Sequence, residues 1–153
     1  MNSVYQEPTV YKQGKTAAEE IKEGLEVFYF KFFPKYESKI NLSDYGAYPI
    51  PVRYNKVTKI FTFGIAANVT TSFNPSYDAI DDVGDSAWPA IGYIEGITDT
   101  GGAYCPALYP DNSAARFQVS AYPAKSKVAI RLPSAKTITT GYLWILNAAL
   151  QFR

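Results

Sequence analysis

The chain contains no histidine. Histidine is the commonest general acid–base group near neutral pH and a leading metal ligand. Its absence excludes a Ser-His-Asp or Cys-His nucleophile system and an H-E-x-x-H metal site. Cysteine is almost as scarce. Cys105 stands alone, so no internal disulfide can form, and no imidazole is available to activate the thiol. It reads as a small buried hydrophobe. Long apolar runs are also missing, since no stretch approaches the 18 residues of a membrane-spanning helix. Residues 1–14 have neither a basic n-region nor an apolar h-region, so they do not read as a signal peptide. Charge is sparse and balanced, with 15 basic and 14 acidic residues and a net charge of +1. Neither nucleic acid nor a membrane surface is therefore expected as a partner, because such binders concentrate Lys and Arg. No cofactor or metal is expected, and no enzymatic activity.

Aromatic side chains are abundant: 13 Tyr, 9 Phe and 2 Trp in 153 residues. Aromatics build cores, subunit interfaces and stacking platforms. Together with 47% apolar and 19% charged residues, they suggest a protein that binds or assembles and whose surface is partly covered by other copies of itself. The length fits one domain with a short appendage.

Three segments are expected. Residues 1–15 form a polar, irregular arm with Pro8 and Gly14 as breakers. Residues 16–34 read as a short helix. Thr16 to Glu19 makes a capping box, and Ala18, Ile21, Leu25, Phe28 and Phe32 recur at alternating steps of three and four, a stripe suited to oligomerisation or docking. From Val27 to Phe33 almost every position is apolar, so this stretch is either a buried helix or a strand. Residues 35–153 read as a β domain. Val57, Phe61, Phe63, Ile65, Ala67 and Val69 share one strand face. Residues 115–121 and 128–132 alternate as an antiparallel hairpin, and Tyr142, Trp144, Leu146, Ala148, Leu150 and Phe152 mark a long last strand. Turn-rich segments separate these runs. The expected fold is mainly β, an antiparallel β-sandwich of jelly-roll type preceded by one short N-terminal helix.

Candidate chemistry is thin. The acidic run Asp78 to Asp85 lacks the alternating spacing of an EF-hand loop and reads as solvated. Glu95 and Asp99 are the pair a carboxylate hydrolase would need. Trp88, Tyr93, Tyr104 and Tyr109 lie in or beside turn-rich segments and are candidates for stacking on a ligand such as a sugar ring. The same residues would also serve to pack loops onto the core.

The latter part of the chain, from Ala87-Trp88-Pro89-Ala90 to the closing strand Leu146 to Phe152, resembles the β head modules of tailed-bacteriophage fibre, receptor-binding and head-decoration proteins. Cys105-Pro106-Ala107 and the hairpin Arg116 to Arg131 carry the resemblance most closely. The resemblance implies a virion protein, a homotrimer attached to other particle proteins by its N-terminal arm and helix, with its β domain turned toward a host-surface glycan or decorating the particle. No functional residue carries over from it. The rival reading is a monomeric carbohydrate-binding β-sandwich.

Overall fold

Strict two-residue alternation over short runs favours strands with one face buried, and that pattern dominates the computed structural model, which describes residues 25–76 and 88–151. Eight antiparallel strands are present: β1 (Leu25–Phe32), β2 (Ile50–Asn55), β3 (Ile60–Val69), β4 (Ala90–Glu95), β5 (Gly102–Leu108), β6 (Ala114–Tyr122), β7 (Lys127–Arg131) and β8 (Gly141–Gln151). They close into one barrel in the order β1-β2-β3-β8-β5-β6-β7-β4, with β4 returning to β1. Two meanders, β1-β2-β3 and β5-β6-β7, are joined by β8 on one side and β4 on the other. Helix among the described residues is limited to the single turn α1 (Pro34–Glu37) and two short 3-10 turns.

This corrects the expected architecture. The fold is a closed barrel, where an open sandwich led by a helix was anticipated, and one segment accounts for the difference. Leu25–Phe32 is a strand. A helix through Val27-Phe28-Tyr29-Phe30-Lys31-Phe32 would expose rings on several sides. A strand divides them cleanly, with Phe30 and Phe32 buried and Val27 and Tyr29 facing out. As a strand, β1 pairs with β2 along one edge and with β4 along the other. Without it β2 and β4 would be free edges, which is the sandwich. Pro34 begins α1 at a first-turn position, where its missing N–H costs nothing, and does not end a preceding helix. The rest of the helix expected over 16–34, namely residues 16–24 with the stripe residues Ala18 and Ile21, lies outside the described residues.

Residues anticipated on one face of β3 do share it: Phe61, Phe63, Ile65, Ala67 and Val69 all point into the barrel. Val57 does not join them, because it sits in the β2–β3 turn and is 75% exposed. The hairpin is β6–β7, in register from Gln118↔Arg131 to Tyr122↔Lys127. An eight-stranded barrel is just wide enough for side chains to fill it. Phe30, Tyr54, Phe61, Phe117, Ile94, Ile130, Leu143 and Ile145 do so, each below 2% exposure, with Cys105 and Ala107 as the small residues between them.

The longest strand connections gather at one end. The hairpins β2–β3 and β6–β7 turn tightly at the opposite end of the barrel. The β1–β2, β3–β4 and β7–β8 connections at the first end are long, and their described residues plug it. Tyr36 stacks on Phe73 at 4.7 Å. Phe73 and Ile138 exchange backbone hydrogen bonds of 3.0 and 2.9 Å, and Ile40 bridges to Val69. The Tyr36 hydroxyl accepts from the Ser76 amide at 3.0 Å. These groups bury one another, so the plug continues the barrel core.

Two irregularities allow closure. In β4 one extra residue stands between Ala90 and Gly92 relative to β7. In the β3–β8 ladder Phe63 faces Ala148 but Ile65 faces Ile145, so β8 carries an extra residue. Such bulges bend and twist a strand. Gly92 lies at the β1–β4 seam, where an added Cβ would overlap the Lys31 carbonyl oxygen and the Phe30 ring. Gly92→Ala is expected to lower unfolding free energy by about 1–3 kcal/mol, an overpacking cost, read as a shifted midpoint in chemical denaturation. Wild-type stability in that variant would mean that Phe30 is not held against this seam.

Candidate functional site

A filled barrel leaves its outside for recognition. The four aromatics singled out from sequence are not brought together. Tyr109 is 4% exposed, against Phe117 and beneath the Lys136 ammonium at 4.3 Å. Trp88 is half-buried, and its carbonyl accepts from Arg131 Nε at 3.0 Å. Tyr93 on β4 packs against Phe33 and carries Lys127 over its ring at 4.7 Å. Of the four, Tyr104 alone presents its ring to solvent, 47% exposed with the Arg116 guanidinium 4.7 Å above it. Among the oligomerisation candidates, Phe32 is a core residue stacked on Tyr48, and Phe28 is half-buried against Tyr54. Neither lies on a helical stripe. Leu25 enters β1 opposite Asn55.

The candidate acids have separate roles. Asp99 accepts a 2.6 Å hydrogen bond from the Tyr54 hydroxyl. Burial and that carboxylate push the tyrosine well above its usual range. Glu95 is exposed on the outside of β4. No group of three or more potential metal ligands occurs among the described residues, and no helix there is long and apolar enough to cross a membrane. The acidic run at 78–85 falls outside them.

The structure assembles two outer surfaces instead. The first is a ridge on β8 and β5. Tyr142 and Trp144 stand side by side, ring centres 5.6 Å apart, and are 47% and 42% exposed. They face Asn68 and Ala66 across the β3 ladder, and Trp144 faces Leu108 of β5. Tyr104 and Pro106 extend the surface along β5, with Arg116 opposite Pro106 on β6. Pro106 has no N–H to give a ladder, and the β5–β8 pairing comprises only Ala107 and Leu108. On the outward positions of β3, β8, β5 and β6 that are described, Arg116 is the one charged side chain, and no acid is present.

The second surface is a groove of about 350 Å³ lined by Val27, Phe28, Tyr29, Lys31, Pro49 and Glu95. Tyr29, 52% exposed, lies opposite Pro51. Among the described residues neither Glu95 nor Arg116 has an ion-pair partner.

Tyr29, Tyr142 and Trp144 are absent from the aromatics anticipated at the surface. The last strand reads Tyr142-Leu143-Trp144-Ile145, apolar on both faces, so alternation cannot choose the inner one. The available signal is residue type: Leu and Ile bury fully more often than Tyr and Trp. In the structure Leu143 and Ile145 go inward. A strand apolar on both faces is expected to be covered on both sides, yet Tyr142 and Trp144 stand exposed, and the bulge keeps one parity from running the length of β8.

In comparison with known proteins, no family model, no curated protein and no solved structure matches this chain.

Two expectations concern individual groups. The Ser113 hydroxyl and amide, and then Lys136, hold the Asp111 carboxyl down at about 2. A carboxylate lowered in the folded state stabilises above its unfolded value, and that contribution is lost as pH falls through its folded one. Asp111 should therefore titrate near pH 2 by NMR, with the 109–113 turn loosening only below about pH 4. Burial pushes the Cys105 thiol up to about 12. It should resist alkylation in the native protein at pH 8 and react fully in denaturant. Fast native labelling would contradict its complete burial.

Proposed function

We propose that the chain is a non-enzymatic assembly protein, a structural component of a larger particle that works through the outside of a solid barrel. The observation that carries this reading is the Tyr142–Trp144–Tyr104 ridge. A nearly uncharged aromatic surface on a barrel with a filled interior suits burial against another protein better than capture of a small molecule inside. The virion of a tailed phage is the particle proposed. That part of the reading rests on the resemblance of the latter part of the chain to phage head modules. The resemblance also implies a homotrimer, an N-terminal arm docked to other particle proteins and an outward surface for a host glycan. The helical stripe no longer supports the trimer, because Phe28 and Phe32 belong to β1, so assembly is assigned to the barrel surfaces.

A second reading, a monomeric carbohydrate-binding module, draws on one observation: Tyr104 offers an open ring face beside Arg116. Light scattering on the full chain separates the two. The assembly reading expects a mass above the 17.0 kDa of one chain, and Trp144→Ala should reduce it without lowering the melting temperature. A monomer at every concentration that binds a glycan array, with loss of binding in Tyr104→Ala, would replace assembly with carbohydrate binding.

A further inference from the structure

The outer side of the β1–β4 seam sets charges of both signs beside an open aromatic ring. The groove of about 350 Å³ runs along it, with Val27, Phe28 and Pro49 as apolar walls. That volume is at the low end for small-molecule sites, roughly 300–1,000 Å³, and suits one sugar-sized residue. Tyr29 stands in the groove with its ring 52% exposed. Lys31 pairs with Tyr93, and the same register continued by one residue sets Glu95 opposite Tyr29. Glu95 in turn pairs with Lys127 of β7, whose Nζ lies 4.7 Å over the Tyr93 ring. One carboxylate is therefore flanked by two ammonium groups, and the polar side of the groove keeps one surplus positive charge.

Each feature narrows the ligand. A flat apolar molecule would cover Tyr29 but strip water from Glu95 and Lys31 without replacing it. A bare inorganic anion would meet Lys31, but Glu95 would oppose it and the ring would go unused. A pyranose presents an apolar C–H face to an aromatic ring and carries hydroxyls around its edge. A carboxylate accepts from those hydroxyls and an ammonium donates to them. The surplus ammonium favours a pyranose that itself bears a carboxylate, held by a charge-assisted hydrogen bond. Tyr104 lacks this combination. The Arg116 guanidinium already covers one face of its ring, and no acid stands among its described outward neighbours on β5 and β6.

We propose that the Tyr29 groove binds a carboxylate-bearing sugar residue, with the sugar ring on Tyr29, its carboxylate on Lys31 and its hydroxyls on Glu95. The inference rests on the outward glycan surface of the reading above, and it gives that surface a place and a ligand class.

The test is an NMR titration of the full, isotope-labelled chain with two acidic probes and their neutral counterparts: sialyllactose against lactose, and methyl glucuronide against methyl glucoside. The two pairs separate a sialic acid from a uronic acid as the source of the carboxylate. At least one acidic probe should shift the amides of Tyr29 to Lys31 and Tyr93 to Glu95. Its neutral counterpart should bind about tenfold more weakly, the loss of one charge-assisted hydrogen bond. Tyr29→Ala and Lys31→Gln should each weaken the acidic probe about tenfold, while Tyr29→Phe and Lys31→Arg retain it. Circular dichroism melts check that each variant folds. Equal affinity for an acidic probe and its neutral counterpart would overturn the assigned carboxylate. Shifts confined to Tyr104 and Arg116 that vanish in Tyr104→Ala would overturn the location. No shift with any probe would overturn the site, and a solution mass above one chain would then leave the assembly reading standing without it. A monomer that binds the acidic probe through Tyr29 would keep the site and overturn assembly.

Discussion

Closure of the barrel through β1 is the constraint on which the other features depend. Seven strands could form a curved sheet with two open edges. The eighth satisfies both edges at once, by pairing Leu25 to Phe30 with β2 and Phe30 to Phe32 with β4. Closure then demands that the Phe30 ring and the Lys31 carbonyl of β1 fit beside a neighbouring backbone. Gly92 supplies that room on β4, and the extra residue before it bends the strand to meet the seam. Once closed, the interior is small enough to be filled by side chains alone, and the long connections fold over one end as its stopper. The outside is left as the working surface for the same reason the inside is stable.

Much of this arrangement is legible in the amino-acid sequence, where a strand has one apolar and one polar side. Residues 61–69 and the 114–131 hairpin are of that kind, and their inward residues read directly from alternation. Legibility fails where both sides are apolar. Val27 to Phe33 satisfies a helical stripe and a strand equally well. The deciding factor is pairing with residues 50–55 and 90–95, which local periodicity cannot register. That one ambiguity turns a barrel into a sandwich. At Tyr142 to Ile145 the same ambiguity leaves the inner face unchosen, and it hides the ridge that the assembly reading rests on.

Tyrosine accounts for how one chain makes both a dry interior and an adhesive exterior. Tyr54 and Tyr36 are buried and send their hydroxyls to Asp99 and to the Ser76 backbone. Tyr29, Tyr104 and Tyr142 stand outside on strands whose inner faces carry Phe, Ala, Cys, Leu and Ile. An amphipathic ring tolerates either setting, so the aromatic count does not reveal the division. Cations over the rings of Tyr93 and Tyr104 show how few charges the outer surface needs for polar cover.

The registers also place Leu25, Asn55, Ile60 and Gln151 in one row across β1, β2, β3 and β8. The described chain therefore enters and leaves the barrel at the same end, away from the stopper, about 14 Å apart around the barrel wall at the usual strand spacing. Tension applied between those two points runs across the strands, along the direction of the ladder hydrogen bonds. Bonds loaded that way give way one after another, as in a zipper. Tension along the strands would have to shear a whole ladder at once. As a mechanical element the barrel resists weakly when pulled by its own ends, and it would bear load best through its walls.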